Sequence, residues 1–410
     1  MKKSLFINLI LFACTACGQV NIADRSIDYS FIIQDTPSQL FTMRQVNQSY
    51  LSAYRLGARG LYDLLPNNRT ADLLQVGLQA LFLMPLTHEE GHRSILTVNN
   101  IGSISQPYFN KHGAAYVKGV TDQTLKNLRD ADLPTYIRLH AAGLESDYML
   151  TQRIEAIGSF DQDLFRHYKW EYWMRKLSIL QYYATGLFKY GSDLTEETDE
   201  LERDIVGHDI YGAARHLHRP TMEFHRYTAY DDLTAAERKY VNRLGYRSLL
   251  NLLNPLIIGV HRFRLTSTTY LNAGLGHAMA PFGDFIDENV WLTLKSLNIS
   301  FYARQFQNRE NWLPGFGAQL HDVRLLRQLS MSLAAHFWRQ PENFDFNTAA
   351  AFTGGAIDID VRYFFFIHKN AWLDAFSIDL GLIYKAAGFL PEEVYLDEHF
   401  GVRFGTTMRL

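Results

Sequence analysis

Cysteine is nearly absent from this 410-residue chain, which has only Cys14 and Cys17, both within its first twenty residues. At most one of them survives removal of a leader, so no internal disulfide can staple the body of the protein. Long apolar runs are also missing beyond the N-terminus. The three best stretches are VGLQALFLMPL (76–86), LSILQYYATGLF (177–188) and LLNLLNPLIIGV (249–260). Each falls short of the ~18 residues that a membrane-crossing helix needs and reads as a buried core helix. Positive charge is not in surplus, with 40 Lys and Arg against 43 Asp and Glu, which argues against nucleic acid as a partner. Neither a G-x-S-x-G nucleophile elbow nor a G-x-x-x-x-G-K-[ST] phosphate loop occurs, so serine-hydrolase and phosphate-loop chemistry have no signal.

The first residues, MKKSLFINLILFACTACGQV, have the layout of a secretory signal peptide: two lysines, an apolar run and small residues. Residues 1–17 are read as that leader, with the mature chain starting near 17 or 18. LFAC and CTAC each loosely resemble the box in which a bacterial lipoprotein cysteine takes its lipid, although Phe12 and Cys14 fit it poorly. Lipidation and ordinary cleavage both stay open. The expected location is the periplasm or outer membrane of a Gram-negative bacterium. Aromatic content is high, with 23 tyrosines and 27 phenylalanines, which suits either a large core or the aromatic girdles of an outer-membrane barrel.

About 390 mature residues exceed what one core usually serves, so two domains are expected. Residues 18–257 read as mostly helical, with apolar residues every three or four positions. A long amphipathic stretch covers 38–65, and a second helix follows from 70 with Thr70 as its cap. Gly-, Ser- and Asn-rich 97–120 reads as a loop or hairpin, and acidic 192–204 as a connector. From 258 to 410 the period is two. AIDIDVRYFFF (356–366) puts Ile357, Ile359, Val361, Tyr363 and Phe365 on one face and Asp358, Asp360 and Arg362 on the other. About eight strands fit this region, the number of the smallest outer-membrane barrels, and a soluble antiparallel sandwich gives the same alternation. The fold class is α+β: a helical N-terminal domain, then an antiparallel β-domain read as a small barrel. Its last residue, Leu410, is not the terminal phenylalanine common in such barrels.

One motif carries chemistry. MPLTHEEGHRSIL (84–96) contains HExxH, in which two imidazoles one helical turn apart, His88 and His92, can reach a single zinc ion. Glu89 between them is placed to act as the base, and Gly91 lets another element approach the helix closely. Thr87 with Glu90 has capping-box spacing, which would start the helix at the motif. Alternatively the helix runs through from Val76 and kinks at Pro85. Zinc also needs a third protein ligand.

With ESD (145–147) downstream on a helix, the chain here resembles the gluzincin-type zinc metallopeptidases, and within them most nearly the HtpX/Ste24-like group. Their pattern is HExxH, then a glutamate ligand on a later helix with an acidic residue four positions on. The resemblance covers His88, Glu89 and His92 well and ESD partly: counted from Asp147, the family's glutamate falls at Gly143. It implies a zinc site with Glu145 as third ligand, and Asp147 as its substitute or as a group orienting a histidine.

A histidine cluster, His208, His216, His218 and His225, follows. His208, beside Asp209, is the candidate to stabilise an oxyanion. NNIGSISQPYF (99–109) is a candidate edge strand for an extended substrate. The expectation is zinc-dependent peptide hydrolysis at the cell envelope, with a peptide or protein substrate and outer-membrane lipid as partners. Hydrolysis of a lipid or another amide would use the same residues. The rival is a non-enzymatic barrel with a helical plug or periplasmic scaffold.

Overall fold

The computed structural model describes residues 26–37, 41–109, 115–188, 196–309, 311–366 and 373–410. The expected leader and both cysteines lie outside them. Helix α1, Met43–Leu64, begins at Thr42, whose hydroxyl accepts from the Gln45 amide. Helix α2, Asn68–Leu78, is capped by Asn67 rather than Thr70. It passes through a single π turn, Gln79–Leu83, directly into α3, Met84–Val98. Residues 68–98 are therefore one rod. Pro85 lacks the N–H that a regular turn would use, and the wider turn just ahead of it accommodates the ring. The through-running alternative is the one found. Thr87 caps nothing; its hydroxyl bonds back to the Leu83 and Met84 carbonyls.

A short antiparallel hairpin, β2 (Ile104–Gln106) with β3 (Tyr116–Lys118), follows α3. Then come α4 (Asp122–Ala131), α5 (Leu133–Ser159), α6 (Lys169–Phe188), α7 (Asp209–His218) and α8 (Ala235–Ser248). Among the described residues no helix is long and apolar enough to cross a membrane.

The remaining strands are β4 (Phe263–Arg264), β5 (Thr269–Ala280), β6 (Gly283–Leu294), β7 (Leu297–Gln307), β8 (Trp312–Arg324), β9 (Leu329–Pro341), β10 (Ala351–Phe366), β11 (Ala375–Lys385) and β12 (His399–Arg409). They pair in chain order as an antiparallel meander. The N-terminal strand β1, Asp28–Thr36, adds to β12, giving one ten-stranded sheet with β1 and β4 at its two edges. The Asp28–Arg409 ion pair, 2.7 Å, closes that junction. Against the expected eight or so strands in 258–410 there are nine among the described residues, because 261–276 divides into β4 and β5, and β1 joins from outside that region, its partner lying at the far end of the sequence. Nor is the sheet a closed barrel: among the described residues no pairing joins β4 to β1.

Charged side chains line part of the inner side of the sheet, and apolar ones lie exposed on its outer side. Asp358, Asp360, Arg362, Asp379 and Arg403 line an interior cavity of about 520 Å³, shared with Arg44 and Arg55 of α1 and Arg153 of α5. Ile357, Ile378, Leu380 and Phe400 alternate with them and are exposed. Helix α5 enters the concave face: Tyr148 packs with Phe285, Phe306 and Trp338, and its hydroxyl donates to Asp287 at 2.7 Å. Helical and sheet segments thus share a core.

Candidate metal centre

Helices α3 and α5 approach so closely that each needs a glycine. A Cβ at Gly91 would stand 2.6 Å from the Ala142 carbonyl oxygen, and one at Gly143 would stand 2.4 and 2.5 Å from Nε2 of His88 and His92. Real Cβ atoms do not tolerate such distances, so the two glycines set the gap in which the imidazoles lie.

Within that gap both histidines have a fixed tautomer. The Leu139 carbonyl oxygen, 2.6 Å from His92 Nδ1, can only accept, so Nδ1 carries the proton. Nδ1 of His88 donates to Asp147 at 2.9 Å. Both Nε2 atoms are left to converge on Oδ2 of Asp209, at 3.1 and 3.4 Å. His88, His92 and Asp209 are buried, and their ligand atoms lie within 4.8 Å of one another. This group can hold a metal ion. Zinc bonded at ~2.0–2.1 Å to tetrahedral ligands separates them by about 3.3 Å, and the two distances from Asp209, 3.1 and 3.4 Å, match that spacing.

Charge tells the same story. Burial opposes protonation of His88, yet Asp147 and Asp209 outweigh it and hold its pKa well above the ordinary histidine value. Burial would raise Asp209, but His92 and His88 hold it below the usual carboxylate range. Two imidazole nitrogens aimed at one carboxylate oxygen need positive charge among them, which protons on the rings or a metal ion can supply. Glu89 is buried beside the pair. Burial pushes its carboxyl up to about 7 against the charges of His88 and His92, a value suited to accepting and returning a proton near neutrality.

A chain of polar groups stands behind the site. Asp147 is also bonded to Arg175 of α6. Arg175 reaches Glu171 at 2.6 Å, and Glu171 accepts from the Tyr50 hydroxyl at 2.6 Å. Tyr182 of α6 stacks on His88, with ring centroids 5.2 Å apart.

The residues singled out in the sequence are distributed as follows. His88, Glu89 and His92 are together. Glu145 is elsewhere: it makes a two-bonded pair with Arg138, 2.7 and 3.0 Å, and accepts the Glu392 amide at 2.8 Å. The reason is helical phase. Positions 143 and 147 face α3, whereas 145 lies about 200° round the helix from either. Asp147 orients His88, and the carboxylate at the pair comes from Asp209, the first residue of α7. His208 caps α7, its Nδ1 accepting the Tyr211 amide at 3.5 Å. Its ring stacks on Tyr211 at 3.7 Å, and burial lowers its pKa to about 4. The rest of the cluster disperses. His216 is buried against Tyr136, His218 packs on Phe346, and His225 is exposed. Asp209 was missed because it belongs to a different helix, with only its neighbour His208 to flag the place.

Comparison with protein-family models and with curated proteins finds no match to this chain.

Proposed function

We propose that this protein is a zinc-dependent hydrolase of peptide bonds at the bacterial cell envelope. The observation that carries the reading is the convergence of His88, His92 and Asp209, with Nδ1 of each histidine held from behind and Glu89 alongside. Zinc, when bound there, supplies Lewis acidity and lowers the pKa of a water. His88, His92 and Asp209 would hold it, leaving a fourth position open. Glu89 takes the proton of the attacking water and passes it to the leaving amine. His208, neutral and with Nδ1 engaged by an amide, keeps its proton on Nε2 and can donate to a developing oxyanion. Strand β2, which among the described residues pairs only with β3, offers an edge to an extended peptide.

The sheet is proposed to sit in the outer membrane as a barrel-like wall. Support comes from its charged interior and apolar exterior, the reverse of a soluble sandwich. Heat-dependent gel migration tests this part.

A non-enzymatic barrel with a helical plug is the second reading, favoured by the entry of α5 into the concave face. Glu89→Gln separates the two. In the hydrolase it abolishes turnover of a peptide mixture while zinc stays bound; in a plugged barrel there is no turnover to lose.

A further inference from the structure

The opening between β4 and β1 is bridged by helices. Ser52 of α1 donates to the Ser30 carbonyl of β1 at 2.6 Å. Tyr54 of α1 reaches Gln75 of α2 at 2.9 Å, and Asp72 of α2 accepts from Trp170 of α6 at 2.7 Å. Trp173 of α6 donates to the Ile257 carbonyl at 3.1 Å, and the Leu253 carbonyl accepts the Leu275 amide of β5 at 2.9 Å. The perimeter runs unbroken from β1 through α1, α2, α6 and the 249–258 turns to β5.

This helical stretch is also apolar on its outside. Leu73, Leu78, Leu81 and Phe82 of α2 and its π turn are exposed, Leu73 at 73 %. So are Leu177 of α6 and Leu253 and Ile258 of the turns. Soluble proteins scatter such residues singly; a contiguous run marks a contact surface. The same hydrogen-bonded perimeter joins it to the sheet, whose outer side exposes Ile378, Leu380 and Phe400, so that one apolar medium would cover both. The ends of three hairpins add a second sign: Arg264, Lys295, Arg324 and Arg327 are exposed at the β4–β5, β6–β7 and β8–β9 turns. All three turns lie at one end of the sheet, where these four cations outnumber the exposed Asp322 and Asp374 and leave a net basic rim that complements anionic lipid phosphates.

We infer that the helical wall of α2, α6 and the 249–258 turns faces the acyl chains of an anionic bilayer and completes a lipid-facing perimeter that the sheet leaves open. The inference rests on the proposed membrane insertion of the sheet. It also fixes the height of the metal centre. Tyr182 stacks on His88, and the adjacent Tyr183 accepts the Met279 amide at 3.1 Å, next to the β5–β6 turn. The centre therefore stands at the bilayer boundary opposite the basic rim, within reach of a membrane-borne substrate.

The test uses the full mature chain, reconstituted in vesicles of phosphatidylcholine and phosphatidylglycerol. Single cysteines carrying a fluorophore replace exposed residues, whose substitution leaves the core intact: Leu81→Cys and Leu177→Cys on the helical wall, Ile378→Cys on the sheet, and Gln123→Cys on α4. Phospholipids brominated on the acyl chain are the quencher. The expected result is quenching at 81, 177 and 378 alike, severalfold above that at 123. Quenching at 378 alone overturns the inference and leaves the sheet in the membrane. Quenching at none of the four overturns membrane insertion itself.

Discussion

A Cβ at Gly143 would lie 2.4 Å from Nε2 of His88. The position from which the gluzincin pattern would supply a glutamate ligand is thus occupied by the imidazoles themselves. The carboxylate arrives instead from Asp209 across the gap. Gly143→Ala is expected to push both rings apart and to weaken zinc binding by more than the roughly 10–100-fold that follows loss of a supporting partner. Competition with a chromogenic chelator measures it, with circular dichroism to show that the fold survives. Unchanged affinity would mean that the rings do not lie against this glycine.

Asp209 and Glu145 make opposite predictions. Asp209→Asn removes a ligand and should lower zinc stoichiometry well below that of the unaltered chain. Glu145→Gln should keep zinc but cost about 3–5 kcal/mol of stability, because it leaves the buried Arg138 guanidinium without its counter-charge. Elemental analysis and chemical denaturation of the two variants decide between them.

That contrast shows how far the sequence could be read. The period-two runs of 356–366 and 375–388 announced their strands and their two faces, because every second side chain meets a different medium. Spacing also put His88 and His92 on one helical face. Which carboxylate joins them depended on the packing of α7 against α5, a contact between segments far apart in the chain that no local pattern records. The through-running helix was equally hard to settle, since Pro85 can start a helix or follow a π turn. Strand β1 was missed for the first reason: its pairing with β12 joins the two ends of the protein.

Asp147 and Arg175 act on the site without touching a bound ion. Asp147→Ala frees the His88 ring to turn and should weaken zinc binding about 10–100-fold without abolishing it. Arg175→Met strands Asp147 and Glu171 as neighbouring buried carboxylates and should chiefly lower stability. Calorimetric titration alongside thermal denaturation separates the two effects; equal affinity loss in both variants would contradict the assigned roles.

His140 and His216 are fully buried, and among the described residues neither ring has a hydrogen-bond partner for either nitrogen. Burial lowers their pKa values to about 3 and about 2. The unfolded chain binds more protons than the folded one from about pH 6.5 downward. Their contribution to stability is therefore whole above pH 6.5 and is lost as pH falls toward 3, at up to ~1.4 kcal/mol per pH unit for each. The double variant His140→Leu, His216→Leu should flatten the acid limb of a plot of denaturation midpoint against pH between 4 and 6.5. An acid limb as steep as that of the unaltered protein would refute the assignment.

The most direct measurement is the zinc content of the mature protein, purified without chelator, beside a His88→Ala, His92→Ala double variant. The account predicts about one zinc per chain in the first and none in the second, the open fourth position being that of a catalytic site. No zinc in either, or equal zinc in both, would contradict it.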